Sequence, residues 1–398
     1  MLCRKKQMVT TRAAVLYTTG NQGPFAATRP LVIEELELAG PGPGEVLVEV
    51  AGAGLCHSDL SVIDGNRPRV MPMVLGHEAS GVVREVGPGV AELAPGDHVV
   101  FAFVPACRHC LPCATGRAAL CENGARANTA GTLLSGRRRF HGPGGAELHH
   151  HLGVSAFSQY TVAAQESLVK IDPGIPLSVA ALFGCAVMTG VGAVLNTARV
   201  EAGAGVAVFG VGGVGLSVVM GARAAGAHPI VAVAASERKL ELARRAGATH
   251  TVCVGREDPV AAIRAIAPGG AEYVFESVGD EQVLAQAYAA TRRGGTTVTL
   301  GLPAPGRQLS LSAVSLVAEE RTLKGSYMGS CVPRRDIPRF IALYQAGLLP
   351  VELLLSRAIA LDEINEGFDA LARGEAVRQI VTFPAAREAR RPVALAAD

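Results

Sequence analysis

The first part of the chain alternates apolar and polar residues in short runs broken by proline and glycine. Pro41-Gly42-Pro43-Gly44-Glu45 leads into Val46-Leu47-Val48-Glu49-Val50, within a stretch of such runs from residue 11 to 55. Gly81-Val82-Val83-Arg84-Glu85-Val86 ends at Gly87-Pro88-Gly89, and a further run follows Pro95-Gly96-Asp97. A period of two between turn residues predicts hairpins and a barrel-like β unit with long loops. From about residue 187 the pattern changes. Apolar runs at 206–210, 230–234, 251–254, 273–276, 296–300 and 322–326 alternate with alanine-rich stretches of helical spacing. Six strands in that rhythm predict a parallel, doubly wound α/β sheet. Past residue 328 come a helix-like stretch, a loop and the β run Gln379-Ile380-Val381-Thr382-Phe383. That run is expected to return to the first unit, making the strand-and-helix unit an insertion. The last fifteen residues, rich in Ala, Arg and Pro, predict a loose tail.

Residues 173–198 and 202–222 carry no charged side chain, and each is long enough to cross a bilayer. The first opens with Pro173 and Pro176, and the second holds seven glycines between a strand-like and a helix-like run. Both therefore read as buried α/β segments, not spans. The 398 residues are 49% hydrophobic, which suffices for two domains with their own cores and excludes disorder for most of the chain. A net charge of +2 offers no field for a polyanion, so nucleic acid is not an expected partner. Basic runs at Arg4-Lys5-Lys6, Arg137-Arg138-Arg139 and Arg387, Arg390 and Arg391 read as solvated surface. No apolar core of signal-peptide length follows the amino-terminal basic residues, so a cytoplasmic location is expected.

Four of the nine cysteines are bunched, and metal explains them better than disulfides. Cys107, Cys110, Cys113 and Cys121 have the spacing C-x2-C-x2-C-x7-C, in a loop with Pro105, Pro112 and no helical pattern. Four thiolates on one loop can enclose a tetrahedral zinc. Bacterial ferredoxins share the first two spacings but place the fourth cysteine after three residues, before proline; here seven intervene and Glu122 follows. The expected site is structural, since four thiolates leave no position for substrate. Cys56, His77 and Cys185 are far apart, yet each stands at a turn beside a strand or helix start. Two thiolates and an imidazole leave a fourth position open, the catalytic form of a zinc site. Spacing alone does not join them, and a lone buried cysteine or histidine more often belongs to a core.

Val206-Ala207-Val208-Phe209 leads into Gly210-Val211-Gly212-Gly213-Val214-Gly215, and a helical run follows. Strand, G-x-G-x-x-G and helix in that order predict dinucleotide binding: Gly210 for the turn, Gly212 for close approach of the pyrophosphate, Gly215 for helix–strand packing. At the end of the second strand, where an acid ordinarily holds the adenosine ribose, stands Ala234. With no carboxylate to repel a 2′-phosphate, and Ser236, Arg238 and Lys239 nearby, the reading leans to NADP over NAD.

Together these motifs resemble the zinc-dependent medium-chain alcohol dehydrogenases, from about residue 11 to 383. Gly54-Leu55-Cys56-His57-Ser58-Asp59, Gly76-His77-Glu78-Ala79-Ser80-Gly81, Phe157-Ser158-Gln159-Tyr160-Thr161, Gly184-Cys185-Ala186-Val187-Met188-Thr189-Gly190 and Ile364-Asn365-Glu366-Gly367-Phe368 carry the likeness beside the cysteine loop and the glycine loop. The branch it resembles holds the liver-type and glutathione-dependent formaldehyde dehydrogenases. The resemblance implies a GroES-like β-rich catalytic domain over 1–186, completed by 329–398, and a Rossmann domain over 187–328. It implies Cys56, His77 and Cys185 as catalytic zinc ligands with Glu78 close to the metal, and so two zinc ions per chain. It also implies Ser58 as the hydroxyl that passes on the alcohol proton, His57 and Arg378 at the cofactor pyrophosphate, and Thr189 and Val214 against the nicotinamide. Phe103, His151, Leu152, Leu302 and Tyr327 match the substrate pocket, suited to a medium-sized apolar or aromatic primary alcohol or aldehyde. Within His149-His150-His151, His151 is expected to face substrate and its neighbours to meet solvent. A homodimer or homotetramer is expected.

Three departures stand out. Ser61 occupies the place of a histidine that completes the family's proton relay, and serine is no base near neutral pH. Arg67 and Ala125 stand where glutathione-conjugate enzymes carry an acid and an arginine, although Arg126 is adjacent to the second. Ala234 replaces the cofactor-selecting acid. The rivals to an alcohol dehydrogenase are a glutathione-dependent formaldehyde dehydrogenase and a non-catalytic zinc- and nucleotide-binding redox sensor.

Overall fold

The computed structural model describes residues 8–383. The expected tail and the basic runs at Arg4-Lys5-Lys6 and at Arg387, Arg390 and Arg391 lie outside them. Six parallel strands form one sheet, in the spatial order His250–Cys253, Ile230–Ala234, Val206–Phe209, Ala271–Glu276, Thr291–Thr299 and Thr322–Gly325. These are the six expected runs, shifted at their ends by a few residues. Chain order reverses between Val206–Phe209 and Ala271–Glu276, so the crevice at their carboxyl ends is the switch point where open α/β sheets bind ligands. Helices on both faces bury the central strand: Val206, Ala207, Val208 and Phe209 are all at most 2% exposed. Helix starts are specified locally. Asp258 accepts from Ala261 N ahead of Pro259, and Asp280 accepts from Gln282 N and Val283 N.

A second sheet is centred on Glu45–Gly54, which pairs antiparallel with Glu78–Val86, Tyr160–Ala164 and Arg378–Thr382. The last pairing returns the end of the chain to its first half, as the pattern predicted. Leu355–Ile359 lies outside Arg378–Thr382 as the sheet edge, and the helix Ile364–Ala372 packs nearby. A closed barrel of Met8–Leu16, Leu31–Ala39, Phe140–His141, Glu147–His150 and Met73–Val74 adjoins this sheet. Within the long uncharged stretch, Leu177–Gly184 and Ala186–Ala198 meet at a 51° bend, and among the described residues no single helix is long and apolar enough to cross a membrane.

Three expectations are corrected. The cysteine loop is not free of helix: it contains Leu111–Ala114 and runs into Glu122–Ala130, whose first turn is capped by Cys121 Sγ accepting from Gly124 N at 3.3 Å. A thiol sulfur at a helix start accepts as a serine or aspartate cap does, and cysteine is not among the residues whose presence marks a helix start in sequence. Arg139 is not solvated; it is 5% exposed and forms an ion pair with the buried Glu45 at 2.7 Å. Glu45 also accepts from Gly42 N and Ser135 Oγ, so the carboxylate is fully served. His150 does not meet solvent either. It is fully buried beside Phe140, with its Nε2 accepting from Arg139 N at 3.2 Å, because the strand's alternation turns it into the barrel.

Candidate active site

Pairing of Glu45–Gly54 with Glu78–Val86 sets Gly54 opposite Glu78, so the turns beyond these ends carry Cys56 and His77 to one place. Cys56 precedes the helix His57–Ile63, and Cys185 precedes Ala186–Gly192. The three donor atoms all lie within 4.8 Å of one another, with Cys185 Sγ 3.4 Å from His77 Nε2. Tetrahedral zinc with ordinary bond lengths holds such a sulfur–nitrogen pair about 3.5 Å apart. The donor set therefore fits zinc, and all three residues line a cavity. Asp59 Oδ1 lies 3.1 Å from His77 Nδ1 and accepts from Gly76 N, which directs Nε2 at the thiols.

Charge in this buried cluster is balanced by the groups around it. Burial alone would raise the Asp59 carboxyl, but the imidazoles of His77 and His151 hold it below its ordinary value. The hydrogen bond from Cys185, against burial and with help from Arg378 and His77, brings the Cys56 thiol well below its usual range. Arg378 Nη2 lies 3.6 Å from Cys56 Sγ, and its Nε lies 3.3 Å from Glu78 Oε1. Burial pushes Glu78 up to about 7 despite that guanidinium. The same arginine thus touches the thiolate, the carboxyl and the cofactor cleft.

Cys107, Cys110, Cys113 and Cys121 also converge within 4.8 Å, with Cys110 Sγ 3.9 Å from Cys121 Sγ. A zinc ion held by four thiolates sets their sulfur atoms about 3.8 Å apart. Against partial burial, the backbone N–H groups of His109 and Cys110 hold the Cys107 thiol down at about 6, ready to ligate.

A cavity of about 590 Å³ runs along the switch point, lined by the glycine loop, Ala234, Ser236, Lys239, His57, Ser61 and Arg378. Gly210 has φ +85°, and a Cβ on Gly215 would stand 1.8 Å from Gly210 O. A side chain at 215 would therefore force helix and strand apart. Gly212 faces open space, and a Cβ on Gly213 would meet Arg378 Cζ at 2.7 Å, so the guanidinium sits at the helix start. No carboxylate lines this cleft among the described residues. Arg238 does not line it: its Nη2 donates to Gly374 O at 3.3 Å and to Glu375 O, since its position on Glu237–Ala246 faces the turn at 374–375 while Lys239 faces the cleft. A contact of Arg238 with a 2′-phosphate would have to replace these two backbone hydrogen bonds.

A smaller cavity of about 90 Å³ lies against Cys56, His77 and Cys185, and brings together Ser58, Thr189, Val214, Phe103, His151, Leu152, Leu302 and Tyr327. His151 Nδ1 stands 3.1 Å from Asp59 Oδ1. Arg67, noted in the sequence as a departure from the glutathione-conjugate enzymes, lines this cavity; sequence reasoning missed Arg69, Leu300 and Met328 beside it, and Ser277, Val278 and Gly301 at the larger one. Ser277 and Gly301 follow the carboxyl ends of parallel strands, a placement that the switch-point rule alone identifies. No local pattern marks Arg69, and Arg67 was marked only through the family resemblance. Ser61 Oγ donates to His57 O at 2.8 Å, and Arg126 donates to Asn123 and lines a separate cavity with Cys107 and His109. Arg126 therefore does not supply an arginine to the substrate pocket.

The family model for the alcohol dehydrogenase GroES-like domain matches residues 42–173, and that for zinc-binding dehydrogenases matches 213–346. The chain is 38% identical over 383 residues to the class-3 alcohol dehydrogenase of Cereibacter sphaeroides, covering 94% of this chain and 100% of that one. The solved alcohol dehydrogenase zinc-binding domain protein of Burkholderia ambifaria superposes with a TM-score of 0.90 at 36% identity, over 95% of this chain and 100% of that one. Benzyl alcohol dehydrogenase of Acinetobacter calcoaceticus gives a TM-score of 0.88 at 32% identity, over 94% and 99%. The chain belongs to the zinc-dependent medium-chain alcohol dehydrogenase family, with its GroES-like and Rossmann architecture. It is a zinc- and nicotinamide-dependent oxidoreductase that interconverts alcohols and aldehydes.

Proposed function

We propose that the substrate is a medium-sized primary alcohol or its aldehyde, with an apolar or aromatic body. The observation that carries this reading is the small cavity, where Cys56, His77 and Cys185 share walls with Ser58 and the apolar side chains of Phe103, Leu152, Leu302 and Tyr327. The net reaction is R–CH2OH plus oxidised cofactor to R–CHO, reduced cofactor and a proton. Zinc held by Cys56, His77 and Cys185 supplies Lewis acidity that lowers the pKa of a hydroxyl bound beside it. Ser58 takes up the hydroxyl proton and passes it to water in the larger cleft, since Ser61 has neither the basicity nor a free donor direction to replace a histidine. Thr189 and Val214, which line the small cavity, would hold a nicotinamide against the substrate carbon, and the cofactor when bound would supply the hydride acceptor or donor.

His57, Arg378 and the glycine loop of Gly210, Gly212 and Gly215 hold the pyrophosphate, which the absence of carboxylates from the cleft favours. Ser236 and Lys239 bind the adenosine end, and the preference is for NADP over NAD. Glu78 acts near the catalytic metal through Arg378, and a second zinc at Cys107, Cys110, Cys113 and Cys121 pins its loop. The GroES-like domain comprises 1–186 with 329–398, the Rossmann domain 187–328, and the enzyme works as a cytoplasmic homodimer or homotetramer.

A panel of aliphatic and aromatic alcohols and aldehydes, run with both cofactors, tests the reading beside a Cys56→Ala control. Turnover is expected with benzyl-type substrates and is lost in the variant. Full activity of zinc-loaded Cys56→Ala would refute the site. A rate that requires glutathione would decide for formaldehyde dehydrogenase, and cofactor binding without turnover for a sensor.

A further inference from the structure

Arg67 and Arg69 both line the small cavity, together with the cysteine–histidine cluster and with Tyr327, Phe103 and Leu152. Each is half-buried. Neither guanidinium is in an ion pair among the described residues, and Arg69 Nε is buried without any hydrogen-bond partner. The groups whose charge Arg69 feels are Tyr327 and its like-charged neighbour Arg67, and it faces His151 in turn. Asp59 meets His77, His151 and Gly76 N through Oδ1 and forms an ion pair with neither arginine. Two adjacent cations, partly removed from water with no acid between them, repel each other and leave donors unsatisfied. An anion bound between them removes both costs.

The cofactor does not account for both. Arg67 borders the larger cleft as well, but Arg69 lines only the substrate cavity, and the pyrophosphate has Arg378 and the glycine loop. We infer that Arg67 and Arg69 form a carboxylate-binding subsite, and that the preferred substrate is an alcohol or aldehyde bearing a carboxylate at the far end of an apolar or aromatic spacer. The planar fork of a guanidinium matches a carboxylate in two parallel hydrogen bonds. The spacer lies along Phe103 and Tyr327, whose rings meet edge to face at 6.0 Å. The carboxylate takes no part in the redox step; it sets orientation and affinity. This inference rests on the dehydrogenase reading and specifies its substrate class.

The test compares 4-carboxybenzaldehyde with 4-methylbenzaldehyde, a pair of similar shape differing in charge. The zinc-loaded wild type is expected to favour the carboxylated aldehyde at least tenfold in kcat/KM, mainly through KM. The ratio should fall toward unity in Arg67→Met/Arg69→Met and shrink with added salt. Arg69→Lys should restore part of it, as a point charge without the fork. Calorimetric binding of 4-carboxybenzyl alcohol and 4-methylbenzyl alcohol without cofactor provides a readout independent of turnover. Turnover of both aldehydes with a ratio near unity that the double variant leaves unchanged would overturn the subsite and leave the dehydrogenase reading intact. Selective binding of the carboxylated alcohol, lost in the double variant but accompanied by no turnover, would support the subsite and overturn the dehydrogenase reading.

Discussion

Replacing His150 with glutamine should remove a specific part of the protein's acid sensitivity. His150 is fully buried in the barrel, and burial, followed by the charges of Arg139, Arg138 and His149, pushes its imidazole down to about 3. In the unfolded chain it titrates near its ordinary value of about 6.5. The folded pKa is lowered, and for a base this means that the unfolded chain binds the proton more readily. Its contribution is therefore complete above about pH 6.5 and declines as pH falls from there toward 3. At pH 5 the unfolded chain gains about 1.5 pH units of protonation free energy, or about 2 kcal/mol, while the folded imidazole stays neutral. A folded pKa one unit higher would scarcely alter that figure. Glutamine does not titrate, and its carbonyl can accept from Arg139 N as His150 Nε2 does at 3.2 Å. The measurement is urea unfolding of both proteins at pH 7 and pH 5. Groups common to both cancel, and the wild type should lose about 2 kcal/mol more than His150→Gln. A double difference below about 0.5 kcal/mol would show that the imidazole is not held neutral, and the burial argument would fail. The site depends on this strand, because Glu147–His150 pairs with Met73–Val74 just ahead of His77.

Two further substitutions probe the cofactor cleft. Gly215→Val places a Cβ 1.8 Å from Gly210 O, so the helix must move off the strand that aims it. Reduced cofactor should bind at least about tenfold more weakly by fluorescence titration, a loss of about 1.4 kcal/mol, and unchanged affinity would contradict the packing role. Ala234→Asp introduces the missing carboxylate where no acid lines the cleft. It should shift the kcat/KM ratio toward NAD, and a ratio that stays constant would show that the adenosine ribose does not reach this strand end.

Much of the architecture was legible because its signals are local. Strand period, turn residues and the strand–glycine–helix order are properties of neighbouring positions, and the six parallel strands formed where the apolar runs stood. Glycines at 210 and 215 likewise announced their constraint, since only the absence of a side chain satisfies a backbone contact of that kind. The short helices of the cysteine loop were not legible, because the cap is a thiol and the stretch is too short to show a period.

Cys56, His77 and Cys185 lie differently. Each was a plain residue until resemblance linked them, and the register that opposes Gly54 to Glu78 brings two of them together. The sequence by itself determined the element types, the glycine loop and the contiguous cysteine cluster. Only the tertiary structure decided that Arg139 and His150 are buried, that Lys239 faces the cleft while Arg238 does not, and that Arg67 and Arg69 share a cavity without a counter-charge. Burial and charge pairing depend on which distant segments pack against a side chain, and no pattern along the chain encodes the position of a partner a hundred residues away.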